Sequence, residues 1–174
     1  LPDNEIESLM MRSEIEAIVY SKKYDEVMNR VREEKNTNVK YFISMDIEKN
    51  EKEVYSLKQL LEKGKKKIED GDREFLDAKI NAEEMGIMLF TSGTTSKSKA
   101  VMLSQNNIAS NVYAMQLVEN FYETDVNLAF LPFHHIFGST EMIVMLACGL
   151  ATAFPDGLRY VAQNLKEYKV SVFV

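Results

Sequence analysis

Cysteine is nearly missing from this sequence: Cys148 stands alone among 174 residues. An internal disulfide is therefore excluded, and a single thiol fits a reducing, cytoplasmic setting. A basic surplus is missing too. The formal net charge is -6, which argues against a general nucleic-acid binder but leaves room for a locally basic pocket. No apolar run approaches the ~20 residues that a membrane-crossing helix needs. The longest, near residues 143–154, is interrupted by Gly149 and reads as a buried helix followed by a strand. Internal repeats and low-complexity tracts are also lacking. The first residues, Leu1-Pro2-Asp3-Asn4-Glu5, read as neither a signal peptide nor a basic amphipathic presequence.

What remains is ordinary for a soluble globular chain: 45% hydrophobic and 28% charged residues, at a length that suits one domain with its own core. The start, Leu1-Pro2-Asp3, leads straight into a helix signal, and the end, Ser171-Val172-Phe173-Val174, is an apolar run with no turn after it. Both ends lead us to expect a piece of a longer protein.

Helical and strand patterns alternate along the chain. Asp3 is placed to cap a helix with Ile6, Leu9 and Met10 on one face. Residues 17–20, Ala-Ile-Val-Tyr, form a continuous apolar run of the kind found in strands buried on both sides. Ser21 is placed to cap a second helix carrying Tyr24, Val27, Met28 and Val31. A strand over 41–45 follows, then a charged loop over 46–53. Ser56 and Gln59 make a capping-box pair ahead of a third helix, which ends at the Asp70-Gly71-Asp72 turn. The Lys65-Lys66-Lys67 run reads as a solvated helix face rather than a docking patch.

Strands are expected over 85–90 and 100–103, and Ser104 caps a helix with Ile108, Val112, Met115 and Val118 inward. A strand over 127–131 is stopped by Pro132. A helix through 142–147, a strand over 150–154, a turn at Pro155-Asp156-Gly157, a helix with Leu158, Val161, Ala162, Leu165 and Tyr168, and a strand over 170–174 complete the pattern. The expectation is an α/β fold: a doubly wound, mainly parallel sheet with helices on both faces, plus a β-loop-β hairpin, with residues 1–174 as a single α/β subdomain. Ligands in such folds sit beyond the carboxyl ends of the strands.

The connection between the two hairpin strands is the most informative stretch. It reads Thr91-Ser92-Gly93-Thr94-Thr95-Ser96-Lys97-Ser98-Lys99, rich in hydroxyls with a glycine and two lysines. Hydroxyls, backbone amides and ammonium groups together can surround a polyanion. A polar hairpin turn with no ligand is an equal reading on composition, since Ser, Thr and Gly are common in turns. A P-loop is excluded. From Gly93 the frame puts Ser98 at the second glycine and Ala100 at the metal-binding hydroxyl, and a strand follows where a P-loop opens a helix.

The stretch resembles the phosphate-loop signature of the adenylate-forming superfamily, which reads roughly [ST]-S-G-[ST]-T-G-x-P-K-G-V. Thr91, Ser92, Gly93, Thr94, Thr95, Lys99 and Val101 match; Ser96, Ser98 and Ala100 replace glycine, proline and glycine. Glycine allows positive φ and close backbone approach, so these replacements raise the question of weaker phosphate binding. A second stretch, Leu131-Pro132-Phe133-His134-His135-Ile136-Phe137-Gly138, resembles the next family motif, P-x-x-H-x-x-G, with His135 at the family histidine. The doubled histidine and aromatic flanks are most similar to long-chain fatty acyl-CoA synthetases.

The resemblance implies a parent enzyme that uses ATP to convert a carboxylic acid to an acyl-adenylate and then, with coenzyme A, to an acyl-CoA. It implies that Thr91, Ser92, Gly93, Thr94, Thr95 and Ser96 surround the β- and γ-phosphates, with Lys99 as a nearby positive charge and Lys97 facing solvent. Thr91 matches a magnesium-contacting position, and His135 would border the carboxylate and acyl pocket. On the residues alone, the preferred reading of His135 is a histidine that only packs and hydrogen-bonds near a strand end; the motif turns the preference to the pocket role. Zinc is not expected at His134-His135, because adjacent side chains on an extended segment point opposite ways. The adenine, ribose and carboxy-terminal lysine segments of the family are not recognisable, so the chain by itself should be inactive. Peripheral membrane contact stays open, and a non-catalytic α/β ligand-binding or interaction module is the alternative.

Overall fold

A computed structural model describes residues 2–91 and 98–173 of the chain. They form two compact units, residues 1–80 and residues 81–174.

The first unit is built on three parallel strands in the order β1 (Ala17–Tyr20), β2 (Tyr41–Ser44) and β3 (Val54–Ser56). Ala17 pairs with Tyr41 and Phe42 with Val54. Helices α1 (Asp3–Ser13) and α2 (Asp25–Glu34) supply Met10, Val27, Met28 and Val31 to a core completed by Tyr20 and Phe42. Arg30 on α2 joins Glu7 on α1 through Nε at 2.7 Å, at an exposed position where such pairs contribute little.

The expectation of a first strand buried on both sides is corrected here. Tyr20 is buried, but Val19 is 52% exposed, because only alternate side chains reach the helices. Asp3 is the first residue of α1 rather than its cap; Pro2 holds the cap position. Ser21 precedes a short 3-10 turn, Lys22–Tyr24, and its side chain caps nothing. Instead the Lys22 N–H donates to Asp46 Oδ2 at 2.6 Å.

Strand β3 was not expected. It is only three residues long and runs directly into the helix cap. Ser56 Oγ accepts from Gln59 N–H at 3.3 Å and opens α3 (Leu57–Glu69). The reciprocal half of the box is rerouted: Gln59 Oε1 accepts from Asn50 N–H, and Asn50 Oδ1 accepts from Ser56 N–H. The charged loop is thereby tied to the helix start. Helix α3 has no buried residue, and Lys67 pairs with Asp72 at its wet end.

The second unit opens with an antiparallel hairpin, β4 (Met85–Thr91) and β5 (Lys99–Ser104). Helix α4 (Gln105–Val118) follows at once, opened by a complete capping box between Ser104 and Asn107. A two-stranded parallel sheet, β6 (Val126–Leu128) and β7 (Ala151–Ala153), flanks α5 (Ile136–Cys148) in sequence. A 3-10 turn at Leu158–Tyr160 leads into α6 (Val161–Glu167). Val112 of α4 packs with Val144 and Met145 of α5 and with Leu150.

The α/β expectation holds, with its strands divided among three small sheets. Val118, expected inward, is 77% exposed at the end of α4, and Leu158 is likewise exposed in its 3-10 turn. The last expected strand is reduced to one bridge between Asn127 and Val172.

Candidate functional site

Thr91 and Lys99 form the final register pair of the hairpin. Directly opposed residues of an antiparallel pair project to the same face with Cβ atoms about 5 Å apart. A threonine and a lysine therefore leave the same face of the hairpin at the mouth of the connection, both exposed. The remaining expected phosphate-loop residues, Ser92, Gly93, Thr94, Thr95 and Ser96, lie outside the described residues, as does Lys97.

Of the departures from the family signature, Ala100 has a clear physical reading. It pairs with Phe90 inside the ladder, and it is not among the residues with positive φ. An extended strand position does not need glycine, and alanine loses less entropy there.

The hairpin is anchored at its far end. Gln105 N–H donates to Glu84 O at 3.3 Å, and Asn106 N–H to Ala82 O at 2.8 Å. Asn106 Nδ2 adds a bond to Glu83 Oε1. A Cβ on Gly86 would stand 3.2 Å from the Gln105 side chain, so this glycine lets the first turn of α4 seat against β4.

The second expected motif is a helix-start device. His135 is the N-cap residue of α5, in extended conformation and exposed. Its N–H donates to Pro132 O at 2.9 Å, closing a turn, and its carbonyl accepts from Ser139 N–H at 3.1 Å. Ser139 Oγ donates to Phe133 O at 2.5 Å. Gly138 explains the spacing: a Cβ there would lie 2.7 Å from Pro132 O and 3.1 Å from Leu131 O. The first turn of α5 rests on the Leu131–Pro132 backbone, and only glycine leaves the room. The proline, histidine and glycine thus fix one compact turn that holds His135 at the surface.

Thr91 and Lys99 share no hydrogen bond or ion pair with His134 or His135 among the described residues. Both groups are nevertheless referred to the same support. The hairpin runs directly into α4, and α4 packs on α5, whose first turn carries His135.

The second unit also holds a buried polar cluster that sequence reading missed. Glu141 of α5 is 2% exposed and Asn127 of β6 fully buried. Asn127 is the register partner of Thr152 on β7. Glu141 Oε1, both amide atoms of Asn127 and Thr152 Oγ1 are buried without a well-formed hydrogen bond among the described residues. Burial pushes the Glu141 carboxyl up from its ordinary range, and the neighbouring Asn127 amide offsets this only in part. A glutamate directly before the apolar run Met142-Ile143-Val144-Met145 was the available signal.

Metal chemistry finds little support in these side chains. Thr91 offers one hydroxyl oxygen, and no group of three or more His, Cys, Asp or Glu among the described residues could hold an ion. Magnesium takes several oxygen ligands, so Thr91 could be only one contributor to such a site.

Comparison with known proteins supplies the wider frame. A long-chain-fatty-acid–CoA ligase 5 from Rattus norvegicus is 34% identical over 98 residues, covering 53% of this chain and 14% of that protein. A crystal structure of a long-chain-fatty-acid-CoA ligase from Archaeoglobus fulgidus superposes with a TM-score of 0.79 at 22% identity, covering 99% of this chain and 32% of that one. The ATP-bound MatB of Rhodopseudomonas palustris superposes with a TM-score of 0.73 at 20% identity, again over 99% of this chain and 32% of its own. The chain therefore spans well under half the length of these proteins, and the two structures establish its fold. The AMP-binding enzyme family model matches residues 1–174 throughout, and the chain belongs to that family.

Proposed function

We propose that this chain is part of the amino-terminal domain of an enzyme that uses ATP to activate a carboxylic acid, namely a fatty acid, and passes the acyl group to coenzyme A. Residues 1–174 act as one subdomain within it. The observation that carries this reading is the pairing of Thr91 with Lys99 at the mouth of the hairpin, in a chain whose whole length fits the AMP-binding family. The ATP named for MatB and the fatty acids named for the other relatives agree with it.

In the proposed reaction a carboxylate oxygen attacks the α-phosphorus of ATP, the bond to the bridging oxygen breaks, and pyrophosphate leaves with the electron pair. Lys99 and the Thr91 hydroxyl stand where negative charge gathers on the leaving group. Fixed charges and donors at such a point are commonly the largest catalytic contribution. Ser92 through Ser96 complete the phosphate contacts. Magnesium, when bound, would neutralise part of the triphosphate charge, and Thr91 is the residue here that would touch it. His135, held at the surface by the Pro132 and Gly138 turn, borders the acid. The remaining adenine, ribose and transfer groups come from the rest of the parent chain.

The unpaired thiol of Cys148 accords with a reducing, cytoplasmic location for the protein. The non-catalytic alternative loses one of its motives, because Ala100 occupies a regular strand position that needs no glycine.

Fatty-acid-dependent exchange of pyrophosphate into ATP by the full-length parent tests the proposal. Lys99→Ala should lower the exchange rate by about two orders of magnitude, in keeping with the loss of one charge-stabilising group. The 174-residue chain alone should show no exchange. Full exchange activity in the Lys99→Ala parent would remove Lys99 from the mechanism.

A further inference from the structure

The amino-terminal ends of β1, β2 and β3 open onto a cleft of about 820 Å³ in the first unit. Every residue lining it belongs to the first unit, whereas Thr91, Lys99 and His135 belong to the second. Arg32, Lys35, Lys40 and Lys52 line it, opposed by only two carboxylates, Glu16 and Glu53. In a chain with a net charge of -6, such a concentration of positive charge is uneven. The pairing inside the cleft is also incomplete. Lys40 Nζ meets Glu16 at 2.5 Å, while Arg32 Nε is 3.8 Å from Glu53. Neither Lys35 nor Lys52 has an ion-pair partner among the described residues.

The floor of the cleft is apolar. Val31 and Phe42 are buried, and Tyr55 is partly exposed at 37%. The Arg32 guanidinium lies 6.0 Å from the Phe42 ring centre and donates through Nη2 to Asn29 Oδ1 at 2.8 Å, which restricts its orientation. A fixed guanidinium presents a planar set of donors suited to phosphate.

The helix end of α2 explains Lys35, since a cation there complements the dipole. It does not explain Lys52. Four non-glycine residues among those described have positive φ; Glu14, Lys35 and Lys169 follow helices, whereas Lys52, at φ 49°, does not. Lys52 stands instead in the tight reversal closed by the Glu51 N–H to Val54 O and Val54 N–H to Glu51 O bonds, a turn that takes positive φ at its first central residue and fixes the backbone of this cleft-lining lysine.

The geometry points to a second ligand site in this chain: the cleft at the amino-terminal ends of β1–β3 binds a small organophosphate anion with a flat apolar body. The charge rests against Arg32, Lys35 and Lys52, and the body lies over the apolar floor formed by Val31, Val39 and Phe42, with Tyr55 at the rim.

Titration of the ¹⁵N-labelled 174-residue chain with phenyl phosphate, followed by amide chemical shifts, tests this. Saturable shifts are expected at Arg32, Lys35, Lys52 and Tyr55, at concentrations at least fivefold below those needed with inorganic phosphate. Lys35→Asn with Lys52→Asn removes both charges with a residue that tolerates the left-handed backbone. In that variant the apparent Kd should rise at least tenfold while the spectrum stays dispersed. Lys52→Arg should retain binding. Absence of saturable shifts, equal affinity for inorganic phosphate, or unchanged affinity in the double variant would each overturn the proposal. A Thr91→Ala, Lys99→Ala chain should keep the cleft shifts, and their loss would assign the anion to the hairpin instead. The outcome is independent of pyrophosphate exchange by the parent enzyme.

Discussion

Gly138 is where a single missing atom decides the most. Its absent side chain lets the first turn of α5 lie on Pro132 O, and a Cβ at 2.7 Å would force the two apart. Because both parties are backbone, the strain cannot be relieved by a side-chain rotation. Gly138→Ala should therefore cost about 1–3 kcal/mol, the usual range for overpacking, measured as a fall in the urea midpoint with unchanged m. Ala100 is the opposite case. It sits in an unstrained ladder position, so Ala100→Gly should lower stability by roughly 0.5–1 kcal/mol. Thermal unfolding of this variant checks whether the strand, rather than a hidden need for glycine, governs the position.

At the scale of elements, two serines that look alike in sequence behave differently. Ser104 accepts from Asn107 N–H while the Asn107 side chain accepts from Ser104 N–H at 2.9 Å, and both bonds open α4. Ser21 sits before a 3-10 turn and caps nothing with its side chain. Ser104→Ala should thus cost about 1 kcal/mol, whereas Ser21→Ala should fall within ~0.5 kcal/mol of the parent chain, as surface substitutions usually do. Chemical denaturation of the pair checks this difference directly. The strands teach a similar lesson. The run over 17–20 signals a strand correctly, but which of its side chains are covered depends on where α1 and α2 lie. Strand β3 is too short to announce itself, and it exists because Phe42 and Ser44 of β2 offer it a ladder.

For the molecule as a whole, pH is the informative variable. Burial raises the Glu141 carboxyl in the folded state above its unfolded value. The folded state then holds the proton more tightly, so this contribution is complete below the unfolded value near 4.5 and is lost as pH rises through the raised folded value. Glu141→Gln should flatten that loss, leaving the variant more stable than the parent chain at neutral pH but not at pH 4. Urea unfolding of both chains across pH 4–8 measures the difference, in which unaltered groups cancel. Asp125 acts with the opposite sign. The Ser171 hydroxyl at 2.7 Å and the Tyr122 N–H at 2.9 Å hold its carboxyl low. Its contribution is present above the unfolded value and lost as pH falls through the folded one. Asp125→Asn should therefore reduce the acid-side slope of the same unfolding series.

Much of this protein is decided by local chemistry along the chain. Helix caps such as Ser56 and Ser104, the apolar periods of α1, α2 and α4, the hairpin strands and the order of the two family motifs all depend on residues within a few positions of one another, where sequence and geometry are nearly the same information. The hydroxyl-rich connection and the Pro132–His135–Gly138 spacing were readable for that reason. Tertiary structure alone decided which faces are covered. It left Val19 and Val118 exposed, buried Glu141 beside Asn127, and gathered Arg32, Lys35, Lys40 and Lys52 around one cleft. Those outcomes depend on contacts between segments far apart in the chain, and neither periodicity nor spacing encodes the distance between them.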